Sequence, residues 1–356
     1  MLCTASRSLL APVLIVLVLA SACPASTSAP ATQLADSSPP TSPEPGEPAV
    51  SSFDPESEEC GTAEMAAVSW LGRPLCVRPL GEASRQGHTA RLEAAQENLV
   101  AAPGDPAAHV WVGRRFAYLR RYSEALAAYS RGIEQHPEFA PLYRHRGQLL
   151  LILRRLDEAI ADFERASVLF EGKVDEVEPD GLPNAAGIPV STLQTNTWYH
   201  LGLAHYLRGD FKVAETVLRR GLLVAKNPDM MAAISLWLYY ALVQEGELDA
   251  ALSVLEPFHV DMEIYEYGNY HRMLVAYKEG TAEQLCAPIV ADEERSAHDR
   301  SVFGYGLAMH RLAQGDRAAA YVLNAQIVDH GNWAEFAYFA SEADLARRNP
   351  PTKGGE

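Results

Sequence analysis

Small, aromatic and turn-forming residues recur at an interval of 34 residues through the middle of this chain. Gly113 and Gly147 are 34 positions apart, and each stands in a helical pattern that a short polar turn separates from a second one. The same shift aligns two further pairs of positions, Ala125 with Ala159 and Tyr129 with Phe163. A single helix pair of this size cannot bury its apolar face alone, so several pairs must stack. The period therefore predicts an all-α array of helix pairs.

The repeated residues resemble the tetratricopeptide repeat, whose pattern runs W-x2-LG-x2-Y, then A-x3-F-x2-A, then P. The segment TWYHLGLAHYLRGDFKVAETVL carries the resemblance most fully, with Trp198, Leu201, Gly202 and Ala214 at the expected spacing. This phase gives six repeats, over residues 106–139, 140–173, 195–228, 232–265, 266–299 and 301–334. The resemblance implies a right-handed superhelix, an α-solenoid, in which small residues let paired helices approach and aromatic residues fill the gaps between pairs.

Both flanks of the array have an expected structure. Residues 60–105 are predicted as an N-terminal cap region, with an amphipathic helix from Arg85 to Ala102 that ends before Pro103. Residues 335–348 are predicted as a C-terminal capping helix, and residues 349–356 as a disordered tail.

The first 22 residues are predicted to be a signal peptide. Arg7 is their only charged side chain, and the apolar run from Leu9 to Ala20 is shorter than the ~20 residues of a membrane-spanning helix. The sequence LASAC resembles a bacterial lipobox, which implies a lipid anchor on Cys23, although the same bond also fits the ordinary A-x-A cleavage rule. We expect an exported protein that is lipid-anchored to the cell envelope or, alternatively, periplasmic or secreted.

Residues 23–59 are predicted to be a disordered tether. Between Pro24 and Glu59 the chain has seven acidic residues, no Lys or Arg, and few large apolar residues. Such a segment cannot bury enough surface to offset its ordering entropy.

Three of the five cysteines lie beyond Cys23. Cys60 and Cys76 are 16 positions apart, and in an exported protein they could form a local disulfide. The alternative is a pair of small buried residues in the cap. Cys286 has no evident partner and is predicted to lie in a helix core.

The tetratricopeptide resemblance also implies which residues face the inner, concave side of the superhelix. Carrying the family's inner positions onto this chain gives a candidate binding groove of Arg114, Tyr118, Arg144, Gln148, Tyr199, Tyr206, Tyr240, Tyr267, Tyr270, Tyr277 and Tyr305. Eight of the 15 tyrosines fall in this set. Tyrosine is favoured in binding surfaces because it offers flat apolar area and a hydroxyl group. The alternative is that these rings pack against one another.

Arg114 and Arg144 lie one repeat apart on adjacent first helices. Two guanidinium groups at the start of a groove could hold a carboxylate or phosphate. The alternative is that they balance the protein's own acidic residues.

One segment, residues 174–194, interrupts the repeat period and is acidic and rich in turn residues. We predict that this insert lies along one edge of the groove, with its carboxylates near Arg144 or facing solvent; the alternative is a tolerated surface insertion. Glu176, Glu178 and Asp180 follow the first positions of a calcium loop, but Gly187 stands where the loop needs a bidentate Glu. No metal site is predicted.

The net charge of −16 argues against a nucleic-acid partner. The sequence contains no phosphate-binding loop, nucleophile elbow, H-E-x-x-H or C-x-x-C motif, so we predict neither an enzyme nor a cofactor. The leading hypothesis is an interaction scaffold that binds a protein or peptide in the tyrosine-lined groove. The alternative is a glycan-binding envelope protein that uses the same aromatic face.

Overall fold

The computed structural model describes residue 60, residues 63–179 and residues 181–348. These residues fall within one compact unit. The predicted signal peptide (1–22), the tether with Cys23 (23–59) and the tail (349–356) lie outside the described residues.

The described chain is built from helix pairs behind a small antiparallel hairpin. The hairpin consists of β1 (Met65–Val68) and β2 (Pro74–Cys76), and helix α1 (Glu82–Ala101) follows it. Six pairs come next: α2 (Pro106–Tyr118) with α3 (Tyr122–Gln135), α4 (Ala140–Ile152) with α5 (Leu156–Phe170), α6 (Leu193–Arg208) with α7 (Phe211–Val224), α8 (Pro228–Glu245) with α9 (Leu248–Val254), α10 (Gly268–Glu279) with α11 (Ala282–Ala291), and α12 (Ala297–Ala313) with α13 (Arg317–His330). Helix α14 (Phe336–Arg348) ends the described part.

Local sequence explains where the first helix of a pair begins. The Asp105 carboxylate caps α2 by accepting from the Ala107 backbone N–H at 2.9 Å, and Pro106 occupies the first helical position. Thr192 and Thr195 form a reciprocal capping box at the start of α6. These side chains satisfy backbone donors that a helix leaves unpaired at its first turn.

The turn within each pair needs one residue in the left-handed backbone region. Glycine fills that position in the last four pairs, at Gly209, Gly246, Gly280 and Gly315. In the first two pairs it is filled by Arg120 (φ 60°) and Arg154 (φ 64°). A left-handed residue with a side chain costs about 1–2 kcal/mol, so arginine at these two turns needs compensation from its side-chain contacts.

Glycines inside the helices allow the two members of a pair to approach closely. A Cβ atom added at Gly113 would lie 2.2 Å from the Tyr129 ring, and one added at Gly202 would lie 2.5 Å from the Leu218 side chain. The predicted role of small residues in this packing is therefore confirmed.

Helix α14 packs against α6 and α12, which are the first helices of the third and sixth pairs, as well as against its neighbour α13. Its Glu342 pairs with Arg154, from the turn between α4 and α5, at 2.7 Å. The hairpin also contacts this C-terminal region: the Trp70 backbone N–H donates to Glu342, and Trp333 Nε1 donates to the Cys76 carbonyl at 2.7 Å. Residues from both ends of the array thus meet.

Several details differ from the sequence prediction. The cap region contains a two-stranded sheet that the all-α prediction did not include, and its helix begins at Glu82 rather than Arg85. Helices α6, α8 and α12 begin two to four residues before the predicted repeat starts at 195, 232 and 301. The second helix of the fourth pair has only 7 residues.

Cys60 and Cys76 form a disulfide, which confirms that predicted pairing. Cys286 is buried in α11, as predicted, and burial raises the pKa of its thiol to about 12. Within the described residues, every helix is too short or too polar to span a membrane.

Candidate functional site

Five of the eight tyrosines predicted to line an open groove are buried. Tyr199, Tyr206, Tyr240, Tyr277 and Tyr305 have exposed fractions between 0% and 6%. The prediction of an open tyrosine-lined groove is wrong at these positions, because the rings pack against neighbouring helices and against one another. They offer no accessible face on which a sugar could stack.

The hydroxyl groups of these tyrosines are bonded inside the protein. Tyr206 and Tyr305 are hydrogen-bonded to each other, and Tyr305 also donates to Asp344 of α14 at 3.0 Å. Trp237 Nε1 donates to the Tyr199 hydroxyl at 3.1 Å. Burial raises the pKa of Tyr199, Tyr206 and Tyr305, so these phenols stay neutral.

Tyr267 and Tyr270 are half-buried at the start of α10. Their ring centroids are 5.7 Å apart, and the Tyr267 ring meets that of Tyr199 at 6.5 Å. Burial also raises the pKa of both phenols. These two rings therefore form the half-buried edge of the buried tyrosine cluster.

The remaining four predicted residues come together at the opposite end of the inner face, on α2 and α4. Arg144 Nη1 donates to Gln148 Oε1 at 2.7 Å, and Arg114 Nη2 donates to the Tyr118 hydroxyl at 3.3 Å. Arg144 is buried, and its Nη2 lies 3.0 Å from a carboxylate oxygen of Glu178 in the insert. The prediction that an insert carboxylate lies near Arg144 is therefore confirmed.

The base of the insert is closed by backbone and side-chain hydrogen bonds. Val177 forms an antiparallel bridge with Thr192, and the Glu178 backbone N–H donates to the Ser191 carbonyl at 3.1 Å. The Asp175 carboxylate accepts from the Thr192 hydroxyl at 2.6 Å and from the Gln194 backbone N–H at 3.0 Å. This base fixes the direction in which the Glu178 side chain enters the array, where it also accepts from Asn196.

Beyond its base, the insert crosses α2 and reaches the fifth repeat. Arg114 Nη1 donates to the Pro179 carbonyl at 2.7 Å, and Arg115 Nη1 donates to the Gly181 carbonyl at 3.2 Å. Gly181 lies so close to α2 that a Cβ atom on it would be 1.9 Å from the Tyr118 hydroxyl. Further along, the Asn184 amide donates to Glu266 at 2.8 Å.

A cavity of about 220 Å³ lies between α2, α4 and the insert. Its walls are mostly apolar, and its polar groups come from Arg114, His145, Glu176 and Glu178. The lining residues with apolar side chains are Ala107, Val110, Trp111, Phe139, Pro141, Val177, Pro179 and Leu193.

The electrostatics of this cavity follow from the neighbours of His145. Burial lowers the pKa of His145 well below its usual value, and Arg144 lowers it further, so the imidazole is neutral. Its Nδ1 lies 2.8 Å from Arg144 Nη1, which can only donate; the ring hydrogen is therefore on Nε2. Nε2 is 3.6 Å from Glu178 Oε1, which is too far for a hydrogen bond.

Trp111 and the roles of His145 and Glu178 were not predicted from the sequence. Trp111, Arg114 and Tyr118 are spaced i, i+3 and i+7, so one helix face carries all three, and this spacing was the available signal. Two cations lie near the Trp111 ring, with the guanidinium carbons of Arg114 and Arg115 at 4.6 Å and 4.9 Å from its centroid.

Across residues 63–179 and 181–348, no group of three or more His, Cys, Asp or Glu side chains is placed to hold a metal ion.

Comparison with known proteins gave structural matches only. No protein-family model matches the chain, and no curated protein matches it. Among solved structures, the chain is similar to YrrB, described as a TPR protein with an unusual peptide-binding site, at 16% identity and a TM-score of 0.39; the match covers 72% of this chain and 99% of that one.

Two further matches have comparable values. A tetratricopeptide repeat protein from Parabacteroides merdae ATCC 43184 matches at 14% identity and a TM-score of 0.43, over 74% of this chain and 94% of that one. The APC/C hetero-tetramer Cut9-Hcn1 matches at 14% identity and a TM-score of 0.41, over 74% of this chain and 46% of that one. Independently of these matches, the stacked helix pairs, the 34-residue spacing of the first two pairs and the close glycine contacts give the chain the fold of a tetratricopeptide-type α-solenoid.

Proposed function

We propose that this protein is an interaction scaffold that binds an extended peptide segment of a partner protein on α2 and α4, beside the insert. The observation that carries the proposal is that the chain already holds an extended segment of its own at this place. Arginine side chains hold two backbone carbonyls of the insert, those of Pro179 and Gly181, and Arg144 holds the Glu178 carboxylate.

The chemistry of these contacts suits a peptide. Guanidinium groups are strong donors to carbonyl and carboxylate oxygens, and backbone contacts of this kind recognise an extended chain whatever its sequence. The adjacent cavity adds a place for one side chain of the partner. We assign no reaction to the site, because its buried carboxylate is bonded to Arg144 and its imidazole is neutral.

The other end of the inner face supports this choice of site. There the tyrosines are buried and α14 occupies the space against α6 and α12. At that end a partner segment would have to displace α14. On α2 it would only have to bind beside an exposed part of the insert.

A display experiment tests the proposal. A random peptide library is selected against the purified protein, against Arg114→Glu, and against Arg131→Glu, in which the same charge change is made at an exposed site on α3. We expect the protein and the Arg131→Glu control to enrich the same peptides, and Arg114→Glu to bind them at least tenfold more weakly. Enrichment that is equal for all three proteins would refute the proposed site.

We also propose that the protein is exported and anchored through lipid on Cys23. The proposal is supported by the signal-like segment, the LASAC sequence and the Cys60–Cys76 disulfide, since structural disulfides persist in oxidising compartments. Cys23→Ala should move the protein from the membrane fraction of cells to the soluble envelope fraction. A membrane fraction that is unchanged by the substitution would rule out the anchor at this residue.

A further inference from the structure

The cavity beside Trp111 is large enough for an aromatic side chain. Its volume is about 220 Å³. A cavity of roughly 150 Å³ lined by apolar groups is known to hold benzene, so a phenol ring fits in the space available. Val110, Trp111, Phe139 and Pro141 give this cavity walls against which such a ring can pack.

One polar group in the wall lacks a hydrogen bond. Glu178 is 8% exposed and lines the cavity, and its Oε1 atom has no hydrogen-bond partner. Its Oε2 atom is held by Arg144 and Asn196, so the orientation of the carboxylate is fixed. A buried acceptor without a donor is unfavourable, and a ligand that supplies the donor gains the energy of that missing bond.

The charges around the cavity limit the kind of donor. Arg114 and Arg115 flank the Trp111 ring, and Arg144 lies behind Glu178. A lysine or arginine side chain of a partner would meet the Arg114 guanidinium in the cavity wall and, at Glu178, the Arg144 guanidinium that already pairs with this carboxylate. A neutral donor on an apolar ring avoids this repulsion, and the tyrosine hydroxyl meets both requirements.

We propose that the cavity receives a tyrosine side chain of the partner segment, whose hydroxyl donates to Glu178 Oε1. This inference rests on the proposed function and names the residue that the partner presents. The guanidinium groups at the Trp111 ring then lie where the neighbouring backbone carbonyls or an acidic residue of the same segment can accept from them. The expected motif is therefore a tyrosine flanked by an acidic residue.

Small-molecule probes test the cavity without the partner. The probes are p-cresol, which is the side chain of tyrosine, and toluene, which has the same ring without the hydroxyl. Binding to the purified protein is followed through the indole N–H resonance of Trp111, assigned with Trp111→Phe. We expect p-cresol to shift this resonance with millimolar affinity and at least five times more tightly than toluene.

Two variants and one control locate the binding. Ala107→Leu and Val177→Phe add side-chain volume from opposite walls of the cavity, on α2 and on the insert, and each should abolish the p-cresol shift. Ala127→Leu adds the same volume as Ala107→Leu at an exposed position of α3 and should leave the shift unchanged. The second filling variant keeps the test valid if the first one folds poorly.

Each outcome bears on one of the two proposals. Equal affinity for p-cresol and toluene, or binding that survives both filling variants, would overturn the tyrosine assignment. If the peptide selection gives Arg114-dependent peptides that contain no enriched tyrosine, the assignment fails while the proposed function stands. If the selection gives no Arg114-dependent peptide at all, the proposed function itself fails.

Discussion

The pair between Arg154 and Glu342 provides the most direct test of how the array is held together. Arg154 lies in the turn between α4 and α5, and Glu342 lies 188 positions away on α14. Their side chains are 3% and 0% exposed. Arg154 also donates to the Trp333 carbonyl at 2.8 Å, and its guanidinium carbon lies 4.2 Å from the centroid of the Phe339 ring.

Glu342→Ala should destabilise the protein strongly. The substitution leaves the Arg154 guanidinium buried without its counter-ion, and breaking a buried pair in this way costs about 3–5 kcal/mol. It also removes the acceptor of the Trp70 backbone N–H. A domain of this size loses about 2–4 °C in Tm for each kcal/mol, so Tm should fall by roughly 10 °C.

Thermal unfolding followed by far-ultraviolet circular dichroism measures the effect. Glu158→Ala is the control, because Glu158 forms an exposed pair with Arg155 at 2.6 Å and such pairs contribute less than about 1 kcal/mol. The double variant Arg154→Met with Glu342→Met should recover most of the lost stability, since a buried pair replaced by apolar side chains is often neutral. A loss in Glu342→Ala no larger than that in Glu158→Ala would refute the reasoning.

Three further predictions concern stability. Burial lowers the pKa of His200 to about 3, below the usual value of about 6.5, so between these pH values the unfolded state binds the extra proton. This group alone should therefore lower the free energy of unfolding as pH drops through 6.5, by about 2 kcal/mol at pH 5. In denaturant unfolding, the loss of stability between pH 7 and pH 5 should be smaller by that amount in His200→Gln. Arg120→Gly should change the free energy of unfolding by less than about 1 kcal/mol, because relief of the left-handed backbone strain offsets the added entropy of the unfolded chain. Arg154→Gly should instead destabilise the protein by about 3 kcal/mol or more, because it breaks the buried ion pair. Equal effects of the two substitutions in urea unfolding would contradict this. Replacing Cys60 and Cys76 with Ser should cost about 3 kcal/mol, as expected for a loop of this length, and a Tm unaffected by reductant in the unmodified protein would argue against it.

The array itself could be predicted because its signal is local and repeated. Gly113, Gly147 and Gly202 each permit a close contact between paired helices, and that requirement acts again in every repeat. The left-handed turns were visible as glycines in the later repeats but not at Arg120 or Arg154. At Arg154 the residue is set by long-range contacts with Glu342 and Trp333, which sequence spacing does not report.

The position of the insert was predictable, but the burial of the tyrosines was not. A carboxylate-rich loop beside Arg144 has an electrostatic reason to dock there, so sequence and structure agree. A tyrosine at an inner position suits an exposed binding surface and a buried contact equally well, provided its hydroxyl finds a partner. Tyr305 finds that partner in Asp344, on a helix far along the chain, and nothing in the repeat pattern indicates the return of that helix.

The two ends of the inner face therefore differ in what they can still bind. Around Tyr206 and Tyr305 the two tyrosine hydroxyls are bonded to each other and to Asp344 of α14, so a ligand of these hydroxyls would have to break bonds that already satisfy them. At Arg144 and Glu178 the ion pair is formed, but Glu178 Oε1 and Arg144 Nε have no hydrogen-bond partner, and a cavity adjoins the carboxylate. Unsatisfied buried groups persist in a folded protein at a cost that a ligand can remove. The unpaired Glu178 acceptor beside this cavity, together with the arginines that hold the insert, is the physical reason to expect the partner at the N-terminal end of the array.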